Sequence, residues 1–431
     1  MTRSLWFVVL FAAGCGDDGK LGPDASVPPA PDAPLAVVCQ PAALRTDLSW
    51  FGNNRVDLTS WIDAKGCASA GFAATKQPVA LFDWDNTLSK NDFGDAITFF
   101  LIANGKVLQP PNQDWKQTSK SMTTAAATAL TAACGTTVAA GQPLPTNTNA
   151  ACADELLAIY INGTTSGDQA AFATYDYRAM EPTYAWTAQL MAGYTHAEMQ
   201  AMMVQAVTSQ LAAAVGATQT IGTHTGLNAW LRIYDQQKDL VHALQTRGYD
   251  VWIITASPQD AIAAVSQMAG IAPDHVIGIR SLTDGAGKLT YDFEGCGPIA
   301  DRANTMISYI NGKRCWVNKI VFGDTTANAI NRRPVDQRAV FAAADSDTDA
   351  DFVRDAKYKL VLNRNKTELM CYAYFNEQGS WRINPMFIAP KAMLAGGYPC
   401  STSACKASTG ASGPCRDEAG AVIPDQMDSV H

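Results

Sequence analysis

What this chain is short of narrows its function first. Histidine is scarce, five in 431 residues, and His196, His224, His242 and His275 are scattered without ligand spacing, so each reads as a structural or surface residue rather than a metal ligand or proton shuttle. The eleven cysteines include no paired CxxC-type spacing, which argues against a tetrahedral zinc–thiolate site. Basic runs are absent and the net charge is −8; a nucleic-acid surface needs clustered Lys and Arg to neutralise phosphates, so a nucleic-acid partner is not expected. Beyond the leader no segment reaches the roughly 20 apolar residues that span a bilayer. What is present is ample core material: 47% of the chain is apolar. About 395 residues remain after the leader, enough for one large or two ordinary domains.

The first 38 residues read apart from the rest. Arg3 precedes the apolar run Leu5–Ala13, which stops at Ala12-Ala13-Gly14-Cys15. Residues 1–15 therefore read as a signal peptide. Small residues immediately before a cysteine resemble the lipobox of bacterial lipoproteins, with Ala standing where Leu is commonest. That resemblance implies lipidation of Cys15 and export to a periplasmic or cell-surface membrane, with plain secretion as the alternative. Residues 16–38 are built largely from Gly, Pro, Asp and Ala and cannot bury enough apolar surface to offset ordering, so they read as a disordered linker. Setting Cys15 aside leaves ten cysteines, an even number compatible with five disulfides in an oxidising compartment. Pairing of successive cysteines, which closes short loops, is the expectation.

Between these features lies a pattern of strands and helices. Apolar strands are expected at Val79–Phe82 and Val251–Thr255, in HVIGIRS, in RAVFAAAD and in KYKLVLNR. A helix with Leu227, Trp230, Leu231 and Tyr234 on one face, continued by Leu240, Val241 and Leu244 and ended by Gly248, is expected before the second strand, and TASPQDAIAAVSQMAG opens another after it. Strands alternating with helices indicate an α/β fold, a Rossmann-like parallel sheet covered by helices on both faces. Residues 92–226 change to Ala, Thr, Gln and Met with helical periodicity, including a Thr195…Glu198 capping box, and read as an inserted helical cap. The core then comprises residues 39–91 and 227–370. Residues 371–431, turn-rich with four cysteines, read as a disulfide-pinned extension.

The chemistry sits at strand ends. Val79–Phe82 runs into Asp83, Trp84, Asp85, Asn86 and Thr87. One carboxylate can attack phosphorus as a nucleophile, and the other can protonate the leaving alcohol and then deprotonate a water; these roles fall to Asp83 and Asp85. A hydroxyl at the end of the next strand, Thr255 or less favourably Ser257, can hydrogen-bond phosphoryl oxygens beside a helix N-terminus. A lysine, Lys313 or Lys319, offsets the gathered negative charge. Asp345 and Asp349, with Asp83 and Asp85, supply carboxylate oxygens for a hard cation such as Mg2+.

DWDNT, TASPQD and ADSDTD, in that order and each after an apolar strand, resemble the haloacid dehalogenase (HAD) superfamily of phosphohydrolases over roughly residues 76–370. The resemblance implies an aspartyl-phosphate mechanism, Mg2+ dependence and a small phosphate-ester substrate. The insertion stands where a C1-type cap would. DNTLSKNDFGDA, YRAMEPTYAWTAQLMAGYTHAEM and SWRINPMF are similar to the exported phosphorylcholine phosphatase branch, close to phosphoserine phosphatases. That branch carries a Gly-Lys step before a helix, which favours Lys313. The usual Gly before the last acidic motif is Ala344 here.

Several rival readings bear on the same residues. Gly323-Asp324-Thr325 also resembles the last motif but follows Lys313 by only eleven residues, too few for an intervening helix and strand. The run Asp345, Asp347, Asp349, Asp351 lacks the Gly and Glu of a calcium loop, having Ala350 and Ala356 in their places. Aromatic residues of the cap, Tyr175, Tyr177, Tyr184 and Trp186, with Glu181 and Asp176 nearby, can form a cage for a quaternary ammonium group or simply pack the cap. Trp84 is expected to border the leaving-group pocket. The expected function is an Mg-dependent phosphomonoesterase, with phosphorylcholine as the leading substrate. The alternatives are a broad exported acid phosphatase or nucleotidase lipoprotein, and a non-catalytic surface binding lipoprotein. A true dehalogenase is disfavoured by Asp85, since carbon–halogen displacement has no leaving alcohol to protonate.

Overall fold

The computed structural model describes residues 39–431; the expected signal peptide, Cys15 and the linker lie outside the described residues. Six strands form the central sheet: β1 (Val79–Phe82), β2 (Asp250–Pro258), β3 (Val276–Ile279), β4 (Phe341–Ala344), β5 (Tyr358–Asn363) and β6 (Trp381–Pro385). Their order is β6-β5-β4-β1-β2-β3, and every pairing is parallel. β1, β3 and β4 are buried along their whole length, which is why VALF, VIGI and FAAA carry no alternation: a parallel strand covered on both faces has no solvent side. Ala80 pairs with Phe341 of β4 and with Val251 of β2. The chain leaves β1 toward β2 and β3, then returns to β1's other side as β4, so a topological switch point lies between β1 and β4. In such sheets the crevice at the carboxyl ends of the strands there is the ligand position.

Helices cover both faces. α1 (Asn54–Asp63) lies against the β6 edge, with Trp61 stacked on Tyr358 at 4.8 Å and Arg382 paired to Asp57 at 2.6 Å. The insertion supplies α2 (Phe93–Ala103), α3 (Thr124–Cys134), α4 (Ala150–Asn162), α5 (Pro182–Gln189) and α6 (His196–Ala212). The Thr195/Glu198 capping box opens α6 as expected. α7 (Asp235–Thr246) buries Leu240, Val241 and Leu244. Insertion residues Leu156, Trp186 and Met199 belong to the same apolar cluster as Phe82 and Ile253 of the sheet. The insertion and one face of the sheet thus share a core, and the described residues fall in one compact unit.

Two expectations are corrected. The helix through Leu227, Trp230, Leu231 and Tyr234 does not form: Thr218–Ile221 and His224–Asn228 make a hairpin, and α7 begins only at Asp235. Ile221 pairs with His224 across a two-residue turn, with Gly222 at φ +57; a threonine-rich segment interrupted by glycine prefers that geometry to a helix. The sheet also does not end at residue 370. α10 (Thr367–Phe375) follows β5, and β6 then pairs Lys359 with Trp381, so the start of the supposed extension completes the core. Cysteines pair consecutively, 39–67, 134–152, 296–315, 371–400 and 405–415. Among the described residues no helix is long and apolar enough to cross a membrane.

Candidate active site

β1 delivers Asp83 to the crevice at the switch point. Its N–H donates to Ala343 O of β4 at 3.0 Å, continuing the ladder one residue past the strand. The chain then turns: Asn86 has φ +63, and Leu88 and Ser89 N–H both donate back to Trp84 O. Thr87 Oγ1 donates to Asp345 Oδ1 at 2.7 Å and stands 3.2 Å from Asp83 Oδ2. Asp85 leaves the strand direction; its Oδ1 accepts Phe93 N–H at the start of α2 at 2.7 Å, and its Oδ2 accepts the Ser257 hydroxyl at 2.6 Å.

Lys313 arrives from the opposite side on α8 (Asn311–Trp316). The backbone before it is forced: Ile310 sits at φ +39 with its N–H bonded to Thr348 O at 3.0 Å, and a Cβ on Gly312 would fall 1.7 Å from Ile307 O. A β-branched residue in that region carries strain. The result is a fully buried ammonium that donates to Asp83 Oδ1 at 2.7 Å and to Asp349 Oδ1. Lys319, the alternative, instead donates to Gly295 O and lies over the Trp316 ring. Asp324 of the rival motif bonds Thr326 in its own turn.

Asp345 follows β4 and Asp349 opens α9 (Ala350–Asp355). One carboxylate oxygen from each of Asp83, Asp345 and Asp349 lies within 4.8 Å of the others, and all three residues are buried. This all-oxygen set fits a hard divalent cation such as Mg2+. Asp85, also expected among the ligands, keeps its carboxylate outside that group, because both its side-chain oxygens are turned to Phe93 N–H and Ser257. Arg364, after β5, donates to Asp345 Oδ2 at 2.6 Å.

The electrostatics follow from this crowding. Burial and then Asp349 push the Asp83 carboxyl well above the usual range, against the pull of Lys313. Burial, with Asp92 next, does the same to Asp85. Burial also raises Asp349. Burial works against the Lys313 ammonium, but Asp349 and Asp83 outweigh it and hold it charged.

Asp83 and Asp85 open onto a cavity of about 860 Å3 between the strand ends and the insertion. Asp83, Asp85, Thr255 and Arg364 line its floor, and Tyr160, Tyr175, Tyr184, Tyr309 and Glu181 line its walls. Thr255 Oγ1 accepts Ser257 N–H at 3.1 Å, which leaves its own proton for a ligand. Asp92 and Asp95 add two more carboxylates; burial, then Asp92, raises Asp95 to about 7, and Tyr160 OH donates to Asp95 at 2.6 Å.

Of the aromatic candidates, Tyr175 and Tyr184 line the cavity. Tyr177 lies one layer behind, edge-on to Tyr309 at 6.2 Å. Trp186 is buried against Trp115 and Phe172 and donates its indole N–H to Thr118, and Trp84 is buried edge-on to Phe93. Neither tryptophan lines the cavity, so the expectation that they contact substrate is corrected: each is too large and apolar to be left out of the shared core. Sequence reasoning missed Arg364, Asp92 and Asp95. Arg364 had a usable signal, as a cation immediately after a buried parallel strand.

No family model matches the chain, and no curated protein matches it. Among solved structures, a conserved protein of unknown function from Anaerococcus prevotii DSM 20548 is similar over 80% of this chain and 94% of that one, at 18% identity and a TM-score of 0.58, which shows a shared fold. A protein of unknown function from Bordetella pertussis Tohama I aligns over 72% of this chain and 99% of that one at 15% identity and a TM-score of 0.41. A substrate-bound phosphoserine phosphatase aligns over 67% and 86%, at 14% identity and a TM-score of 0.33. At those two scores the likeness adds nothing to the argument.

Proposed function

We propose that the protein is a phosphomonoester hydrolase of the haloacid dehalogenase type, working through an aspartyl phosphate on Asp83. The observation that carries this reading is the meeting of Asp83, Asp85 and Thr255 just beyond Phe82 and Ile253, the last paired residues of two parallel strands, with Lys313 bridging Asp83 and Asp349 beneath a large cavity. An Asp83 oxygen attacks phosphorus, and the bond to the leaving oxygen breaks as Asp85 gives that oxygen its proton. Asp85 then takes a proton from water, whose oxygen attacks the same phosphorus, releasing phosphate and restoring the Asp83 carboxylate. Thr255 donates to a phosphoryl oxygen, and Lys313 offsets charge on nucleophile and phosphate. Asp83, Asp345 and Asp349 would hold the Mg2+ ion, which when bound neutralises phosphoryl charge.

The finer reading concerns the leaving group. Asp92, Asp95 and Glu181 stand beside Tyr160, Tyr175 and Tyr184, with Arg364 as the guanidinium on the lining. Aromatic faces and carboxylates together favour a cationic alcohol such as choline, each desolvated ring contributing roughly 0.5–2 kcal/mol. The volume of the cavity, about 860 Å3, exceeds the need of so small an ester and favours the second reading, a broader exported phosphatase. Export with a lipid anchor at Cys15 belongs to the same proposal; five disulfides are in keeping with an oxidising compartment.

The test is phosphate release by protein lacking residues 1–15, with and without magnesium, from phosphorylcholine, phosphoserine, a nucleoside monophosphate and an aryl phosphate. Preference for phosphorylcholine supports the cationic reading. Even, magnesium-dependent release supports the broader one, and no release from any ester overturns both in favour of a binding protein.

A further inference from the structure

The wall of the cavity hangs on a short, irregular segment, residues 175–181, that has no helix or strand of its own. Such a stretch holds its shape only through what it touches. Within it, Arg178 N–H donates to the Asp176 carboxylate at 2.8 Å. The segment's backbone is tied to the rest of the chain by Tyr177 N–H to Ser408 O at 2.8 Å, Asn311 N–H to Arg178 O at 2.9 Å and Ile307 N–H to Ala179 O at 3.0 Å. The last two join it to the loop that presents Lys313. The first joins it to the hairpin closed by Cys405–Cys415.

The Arg178 side chain gathers the same partners. Its Nη1 donates to both Glu368 oxygens, at 3.0 and 3.2 Å, and to Lys406 O at 2.9 Å, and its Nη2 donates to Asp351 at 3.1 Å. Glu368 is on α10 and Asp351 on α9, two residues beyond Asp349. Asp351 in turn accepts from Arg314, the neighbour of Lys313, at 2.9 Å. Only a planar, multidentate cation can span a carboxylate, a second carboxylate and a carbonyl at once. Behind it, Lys406 Nζ lies over the Tyr177 ring at 4.8 Å, and Tyr177 and Tyr184 both meet Tyr309 edge-on.

We propose that Arg178 is a positioning residue that fixes the aromatic wall to the core, so that the wall is preset before substrate arrives, with the disulfide-closed hairpin backing the joint. The proposal rests on the phosphatase reading for its kinetic consequence and on geometry alone for its structural one. Arg178 touches no reacting atom; it acts through Tyr175, Glu181 and Tyr184. The insertion is then a bolted wall whose selectivity is built into a preformed pocket.

Two variants test it. Arg178→Met combined with Glu368→Gln removes the strut and its main partner without leaving a buried carboxylate unpaired, since Asp351 keeps Arg314. Cys405→Ser with Cys415→Ser frees the hairpin and leaves Arg178 in place. For each, KM and kcat toward an aryl phosphate are measured, with hydrogen exchange of residues 175–184, Ile307 and Asn311. The expected result is a KM raised about tenfold with kcat within about threefold, the signature of lost positioning of the substrate rather than of the chemistry. Faster exchange in the wall segment is expected alongside it, and Arg178→Lys, with its charge but no fork, should fall between. Wild-type KM and wild-type protection in both variants would overturn the proposal, even if melting temperature drops. If the unmodified protein releases no phosphate, the functional reading fails separately, and unchanged exchange in the variants still overturns the joint.

Discussion

Replacing Asp83 with Asn separates catalysis from stability at one atom. The amide keeps the shape: its oxygen still accepts from Lys313, 2.7 Å away in the unmodified protein, and its NH2 faces Thr87 Oγ1, whose own proton points to Asp345 at the shorter 2.7 Å. What changes is charge. At an effective dielectric of about 20, the Lys313–Asp83 attraction at that distance is about 6 kcal/mol, and repulsion from Asp345 and Asp349, with oxygens no more than 4.8 Å away, is at least about 3.5 kcal/mol each. The two repulsions together therefore at least offset the attraction. The cost of burying the Asp83 charge then tips the balance toward the variant, as is common for catalytic carboxylates. We therefore expect Asp83→Asn to lose at least about 10^4-fold in phosphate release while its melting temperature without magnesium holds or rises. Phosphate release and thermal unfolding in a chelator are the two assays. Activity above about a tenth of wild type would refute the nucleophile assignment. A fall in melting temperature of more than about 8 °C would refute the electrostatic reasoning.

Three further outcomes follow from contacts of the same kind. Asp85→Asn should slow hydrolysis of alkyl phosphates by about 100-fold or more and of aryl phosphates much less, because only the poorer leaving alcohol needs the proton; an equal loss across a leaving-group series would remove Asp85 from that role. Gly94→Ala places a Cβ 2.9 Å from Asp92 Oδ1 and 3.0 Å from Ser257 Oγ, pushing Ser257 away from Asp85, so kcat should drop about tenfold although alanine favours the helix; an unchanged kcat counts against Ser257 as a support for Asp85. His275 is held up at about 9 by Asp250, whose carboxylate is 3.1 Å away, and by Asp274. Its folded value is raised, so its stabilisation is complete below about pH 6.5 and disappears as pH rises through about 9. The ring is about a third exposed, so the amount is discounted to about 1 kcal/mol. Urea unfolding of His275→Gln against wild type should show that gap at about pH 6 and none at about pH 10; a gap independent of pH would refute it.

The fold was largely legible because parallel strands buried on both faces leave an unmistakable mark. VALF, VIGI and FAAA are short, continuous and apolar, and each is followed by a charged residue, Asp83, Arg280 or Asp345. β6 was hidden because Trp381–Pro385, at a sheet edge, is buried only at Trp381 and Asn384, carries no apolar run and reads as another turn-rich piece of the extension. The false helix at Leu227–Tyr234 arose from a spacing that a hairpin and a following loop satisfy as well. There Gly222 at φ +57 and Gly226 at φ +74 decide the outcome, and periodicity carries no information about backbone sign.

The site was legible residue by residue and less so in its partnerships. Asp83 and Asp85 are two apart, and in a continuing strand they would project to the same face. The strand stops at Phe82, and Asn86 at φ +63 turns the chain, so Asp83 goes to Lys313 and the carboxylate group while Asp85 goes to the N-terminus of α2. That divergence is what the proposed chemistry requires. A nucleophile must sit beside compensating charge, whereas an acid/base group must keep clear of it and face the leaving oxygen, and a single turn after β1 achieves both. The same turn accounts for the burial of Trp84, which points away from the cavity when its two neighbours are splayed apart, and it makes the Asn86 backbone, rather than any further carboxylate, the feature on which the separation of the two roles depends.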